Sequence, residues 1–93
     1  MYPFDFLKSP KDVNTNIAKR MRERRKEKKL SQAELSRRSS VSLGSLKRFE
    51  QTGEIALSSL VRIAFALGCE DDFDQLFSKK RYASIQEVIN EQE

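Results

Sequence analysis

The sequence predicts an all-α fold, a compact set of five helices with a further short helix near the C-terminus. Three observations lead there. Apolar residues recur with the spacing of one helix face along most of the chain. Two Ser-x-x-Glu stretches, Ser31 with Glu34 and Ser84 with Glu87, carry the reciprocal capping box that begins a helix. No alternating apolar and polar run of useful length appears, so nothing reads as a half-buried strand.

Taken in order, residues 1–13 hold both prolines and the bulky Tyr2, Phe4, Phe6 and Leu7, which read as an N-terminal arm that packs its rings onto the domain or a partner. Ile17, Ala18 and Met21, among good helix formers, set a first helix over residues 14–28. The Ser31 box starts a second helix, Gln32–Ser39. Ser40-Val41-Ser42 continues it poorly, because serine and β-branched valine are weak helix residues and Ser42 is itself a good N-cap. A third helix, Leu43–Thr52, then stops at Gly53 in a left-handed cap. Leu57, Leu60, Ile63, Ala64 and Leu67 share one face of a fourth, capped by Ser58 or Ser59 and closed by Gly68. The acids of "EDDFDQLF" suit the first turn of a fifth helix that buries Phe73, Leu76 and Phe77. A last short helix has Ile85, Val88 and Ile89 as its apolar side. The chain thus divides into an arm (1–13), one domain (14–77) and a partly helical extension (78–93).

Composition narrows the function classes. One cysteine and no histidine exclude a disulfide framework or a Cys/His metal site within the chain, and Cys69 reads as a small apolar residue. The carboxylates are scattered, and no Gly-rich phosphate loop appears, so neither an enzyme nor a bound cofactor is expected. No apolar run approaches the roughly 20 residues needed to cross a bilayer. The acidic residues of the N-terminal stretch and its lack of an apolar signal segment lead to an expected cytoplasmic location. The basic first helix lacks the aromatic face of a membrane-surface helix.

Charge is distributed unevenly within the net +4. Residues 14–53 carry twelve Lys/Arg against four Asp/Glu, whereas residues 54–93 carry four against eight. The first half suits an anionic partner. Within it, an eight-residue helix, a three-residue turn and a ten-residue helix match the helix-turn-helix, whose second helix enters the major groove of double-stranded DNA. Leu35, Val41, Leu46 and Phe49 are the internal contacts that fix the angle, with Ser36 small where the helices approach. Ser42, Leu43, Gly44, Ser45, Lys47 and Arg48 then form the exposed face of the recognition helix. Arg48 suits a bidentate contact to guanine O6 and N7, worth roughly 1 to 3 kcal/mol of discrimination. Arg37 and Arg38 read as solvated charges or weak phosphate contacts.

The stretch "RKEKKLSQAELSRRSSVSLGSLKRFEQTG", continued in register by "LSSLVRIAFALG", resembles the lambda-repressor-like, or XRE, family over about residues 14–77. The resemblance implies a role for particular residues. Ser42, Leu43, Gly44, Lys47 and Arg48 stand where family members face base edges. Gln32 resembles the glutamine that bonds a backbone phosphate while orienting the recognition helix. Arg25 and Glu50 match an ion pair between the first and third helices, with the arginine also near a phosphate. Ser45, and Ile55, Ala56 and Ser58 around the start of the fourth helix, correspond to further phosphate-contacting positions, as helix N-termini do. Three positions depart from the family pattern. Ser40 replaces a frequent glycine at the turn, Arg24 replaces an apolar residue, and Leu43 with Gly44 stands where relatives carry glutamines. Leu43 suits a thymine methyl group instead, and Gly44 permits close backbone approach.

The resulting expectation is a sequence-specific transcriptional regulator, a repressor binding a palindromic operator as a homodimer. The alternative is an antitoxin of a type II toxin-antitoxin system, similar to HipB, which binds a kinase toxin of the HipA type and represses its own operon. The apolar C-terminal residues and the aromatic arm would serve that partner. A protein-interaction module without DNA binding is the remaining alternative.

Overall fold

The computed structural model describes residues 8–81 and 89–90. Among these, α1 (Pro10–Glu27), α2 (Gln32–Ser39), α3 (Leu43–Thr52) and α4 (Leu57–Leu67) are followed by a 3₁₀ helix, Glu70–Gln75, and no strand occurs. The all-helical expectation holds.

α1 starts four residues earlier than its apolar pattern shows. Ser9 is its N-cap, Pro10 occupies the first helical position, and Asp12 closes a capping box with Ser9. Proline there loses nothing, since its missing N–H belongs to the unpaired first turn. At the other end Lys29 is left-handed (φ 58°), and the N–H groups of Lys29 and Leu30 donate to the carbonyls of Lys26 and Arg25. This Schellman arrangement normally falls to glycine, and it turns the chain so that Leu30 enters the core.

α2 and α3 match their expected limits. Ser31 and Glu34 form the capping box, and Ser42 Oγ accepts the Ser45 N–H at 3.1 Å. Ser40 is left-handed (φ 59°, ψ 24°) without being glycine. The serines around it hold that turn. Buried Ser39 donates its hydroxyl to the Leu35 carbonyl (2.7 Å) and accepts the Val41 N–H (3.3 Å), and Ser36 donates to the Val41 carbonyl at 2.6 Å. Val41 is thereby fixed between the helices with its side chain buried. Leu35, Leu46, Phe49 and Ile63 are fully enclosed, and Ala18, Met21, Leu30 and Leu67 complete the core around them.

Two expectations fail at the C-terminal end. α4 is capped by neither Ser58 nor Ser59; Ala56 is the N-cap, and its side chain makes no capping bond. The fifth helix is only a 3₁₀ helix, ending before Leu76, and Leu76 and Phe77 lie exposed, Phe77 at 96 %. Of the three expected core residues only Phe73 is half-buried. The acids of its first turn suit a helix start, but Leu76 and Phe77 find no core to pack on, and the segment remains a short 3₁₀ helix. The expected helix from Ser84 falls largely outside the described residues; Ile89 and Asn90 are helical and exposed.

Candidate nucleic-acid interface

Glu50, on the inner side of α3, organises the interface. Its carboxylate is 5 % exposed and accepts two bonds from Arg25, Nε to Oε2 at 2.8 Å and Nη2 to Oε1 at 2.9 Å. Gln32 Nε2 donates to Oε1 at 3.1 Å, and Arg22 Nε approaches the same oxygen at 3.8 Å. Arg25 also donates from Nη1 to the Leu30 carbonyl at 2.9 Å. Every nitrogen of this buried guanidinium is therefore engaged within the domain, and one fork joins α1, the α1–α2 turn and α3. Bidentate charge-assisted bonds are directional, so the hub fixes the rotation of α3 about its axis. Gln32, first in α2, ties that helix to the same oxygen.

The rotation leaves a definite outer face. Leu46 and Phe49 point into the core, and Ser42, Gly44, Ser45, Lys47 and Arg48 point out, with Leu43 half-buried at the first turn. Ser42 Oγ donates to Ser45 Oγ at 2.8 Å while accepting the Ser45 N–H, an arrangement that uses Ser45 Oγ as an acceptor and leaves its own O–H to donate elsewhere. Gly44 has no positive φ, and an added Cβ would meet nothing within 4 Å. Its lack of a side chain answers no need inside the domain. Gly53 is the opposite case. Its φ is +80°, and a Cβ there would stand 2.7 Å from the Asn14 carbonyl carbon, so only glycine lets the end of α3 rest on α1.

Of the sequence-derived candidates, Ser42, Gly44, Ser45, Lys47 and Arg48 lie on this outer face with Leu43 at its first turn, whereas Arg25 and Glu50 lie inside. Gln32 is half-buried at the base of α2, and Ala56 and Ser58 are exposed at the start of α4. The Ala56 side chain supplies no cap, and the Ala56 carbonyl accepts only from Ser59 and Leu60, so the Leu57 and Ser58 N–H groups lack a side-chain acceptor, as at helix ends that receive an anion. Arg25 is withdrawn into the hub. Arg24 lies at the surface, its Nη2 donating to Glu27 at 2.7 Å. Sequence reasoning missed Arg22, which joins the hub from α1 one residue off the apolar stripe, and Glu54, which accepts from Arg48 Nη2 at 2.8 Å. A charge six residues away across a glycine turn lies outside helical spacing rules, so only the fold reveals the second pair.

Ile17 and Met21 of α1 with Leu60, Ile63, Ala64 and Leu67 of α4, and Phe73 and Leu76 beyond, line an open, largely apolar groove. No helix of the described residues is long and apolar enough to cross a membrane. No group of three His, Cys, Asp or Glu among them stands ready for a metal ion.

A brace helix, a tight turn and a second helix with a buried inner side and an open basic outer side define a helix-turn-helix DNA-binding domain. Residues 20–78, more than half of the chain, match the Cro/C1-type HTH DNA-binding domain, and the chain belongs to that family. Neither curated proteins nor solved structures yield a match. Family membership makes this a DNA-binding domain of the transcription-regulator kind.

Proposed function

We propose that the protein is a repressor that binds a palindromic operator as a homodimer, one α3 per half-site and the two about 34 to 36 Å apart. The observation that carries this is the outward set of Lys47 and Arg48 on a helix whose rotation Glu50 fixes through Arg25 and Gln32. Ser42, Leu43, Gly44, Lys47 and Arg48 are the base-facing residues in this reading. Gln32, Ser45 and the backbone at Ala56 and Ser58 meet phosphates, and Arg25 acts through the hub. Unsubstituted Gly44 lets the first turn of α3 sit close to the groove floor. Residues 14–77 are the operative domain in this reading.

The test is a gel shift on DNA upstream of the protein's own gene, titrated with salt. The expected result is a retarded complex that weakens steeply as salt rises, and loss of sequence preference on Arg48→Ala. Unchanged affinity and preference in Arg48→Ala would remove the base-reading assignment.

A second reading is favoured by the exposure of Phe65, Leu76 and Phe77. Such apolar surface suits a protein partner, either the second subunit or, for an antitoxin, a HipA-type kinase toxin that binds here while α3 reads the shared operon. Recovery of only the protein itself, in an affinity capture from the native host, would count against the antitoxin form.

A further inference from the structure

The turn after α3 is built to deliver one carboxylate. Thr52 Oγ1 donates to the Arg48 carbonyl at 2.8 Å and accepts the Glu54 N–H at 3.1 Å, which ties residue 54 back to the turn of helix that carries Arg48. Gly53 between them is left-handed, donates to the Phe49 carbonyl at 2.7 Å, and rests against α1 too closely for any side chain. With the backbone fixed in this way, Glu54 Oε2 lies 2.8 Å from Arg48 Nη2. Both side chains remain largely exposed, at 68 % and 60 %. An exposed pair of this kind adds little to stability. Its position beside a DNA-reading arginine, and the hydrogen bonds that hold its backbone, ask for another role.

We infer that Glu54 is a specificity-setting residue that acts through Arg48. This rests on the proposed reading of Arg48 as a base contact. A guanidinium has five N–H donors in a fixed fork, and Glu54 takes one, leaving donors to pair with a guanine edge while the carboxylate steadies the plane. An unrestrained arginine reaches the nearest phosphate on any sequence. Glu54 competes with phosphate for the same guanidinium, and its own charge is repelled by the backbone at every site. DNA without the right base thus loses more from Glu54 than DNA with it, and the ratio of specific to non-specific affinity widens.

The probes are a duplex selected by the wild-type protein from a random-sequence library, and a random-sequence duplex, both measured at one fixed salt concentration. Glu54→Gln should raise affinity for the random duplex by about fivefold, the scale of one exposed charge pair. Affinity for the selected duplex should rise less, so their ratio falls, with the thermal unfolding midpoint unchanged. In an Arg48→Ala background the same Glu54→Gln change should leave the ratio alone. A ratio unmoved by Glu54→Gln, or moved equally in both backgrounds, overturns the inference while the reading of Arg48 stands. If Arg48→Ala by itself leaves both affinities as they were, that reading fails and the inference falls with it.

Discussion

Two glycines and one glutamate carry opposite duties at the scale of single residues. Gly53 is needed by the fold, because its positive φ and its contact with the α1 backbone both exclude a side chain. Gly53→Ala should therefore lower stability by more than about 1 kcal/mol, combining left-handed strain with a displaced α1. Gly44 is needed by nothing inside the domain. Gly44→Ala should leave the urea midpoint unchanged or raise stability by up to about 1 kcal/mol, since alanine is the better helix residue. If Gly44 serves close approach to DNA, that same stable variant loses affinity, so denaturation and gel shift measured together separate the two duties. Glu50 answers to the fold first. Glu50→Ala leaves the Arg25 guanidinium buried with no anion, and a loss of about 3 to 5 kcal/mol is expected by chemical denaturation, the penalty typical of breaking a buried pair from one side.

Local chemistry decided most of the helices, and where it was strong the sequence was legible. The Ser31–Glu34 box, the Ser42 cap and the Gly53 and Gly68 stops give α2, α3 and the end of α4 their observed limits. The Ser9–Asp12 box was equally available, yet the prolines and aromatic residues around it masked a helix start. The 3₁₀ helix was not legible, because Phe73, Leu76 and Phe77 have helical spacing and only the tertiary structure shows that two of them find no core. The outward residues of α3 followed from register, whereas the partners of Arg22 and Glu54 depend on how separate elements meet. Both capping boxes lend themselves to a pH test. The Ser9 N–H bonded to Asp12, and the Ser31 N–H bonded to Glu34, hold each carboxyl below its ordinary pKa. A depressed folded-state pKa contributes stability that is full above the unfolded value and is lost as pH falls through the folded one. The unfolding midpoint should thus hold steady from neutral pH until ordinary carboxylates begin to protonate and then decline. In Ser31→Ala, which lacks the side-chain half of the cap, stability at neutral pH should drop by about 1 kcal/mol and the acid decline should be shallower. Equal acid slopes for the two proteins would assign the decline to other groups.

The whole molecule joins a basic reading half to an acidic half, and that polarity governs how it meets DNA. Residues 14–53 hold twelve of the eighteen basic side chains, while Glu70, Asp71, Asp72 and Asp74 gather on the 3₁₀ helix beyond α4. A surface divided in this way orients the approach of an anionic rod toward α3 and away from the acidic end. Affinity then draws on counterions released from phosphates, and the logarithm of the binding constant falls linearly with the logarithm of salt, by about 0.9 for each phosphate neutralised on duplex DNA. Lys47, exposed on α3 with no bonded carboxylate among the described residues, and Arg48, whose charge is shared with Glu54, should differ in this measurement. If Lys47 meets a phosphate, Lys47→Ala should weaken binding to selected and random duplexes alike and reduce the salt slope by about 0.9 per subunit bound. Arg48→Ala should chiefly lower affinity for the selected duplex, by a factor matching about 1 to 3 kcal/mol, with less change in slope. The opposite pattern, a slope change from Arg48 and a preference change from Lys47, would exchange the two residues' roles while keeping α3 as the reading helix. A slope insensitive to both substitutions would place the phosphate contacts elsewhere, on Arg37, Arg38 or the basic face of α1.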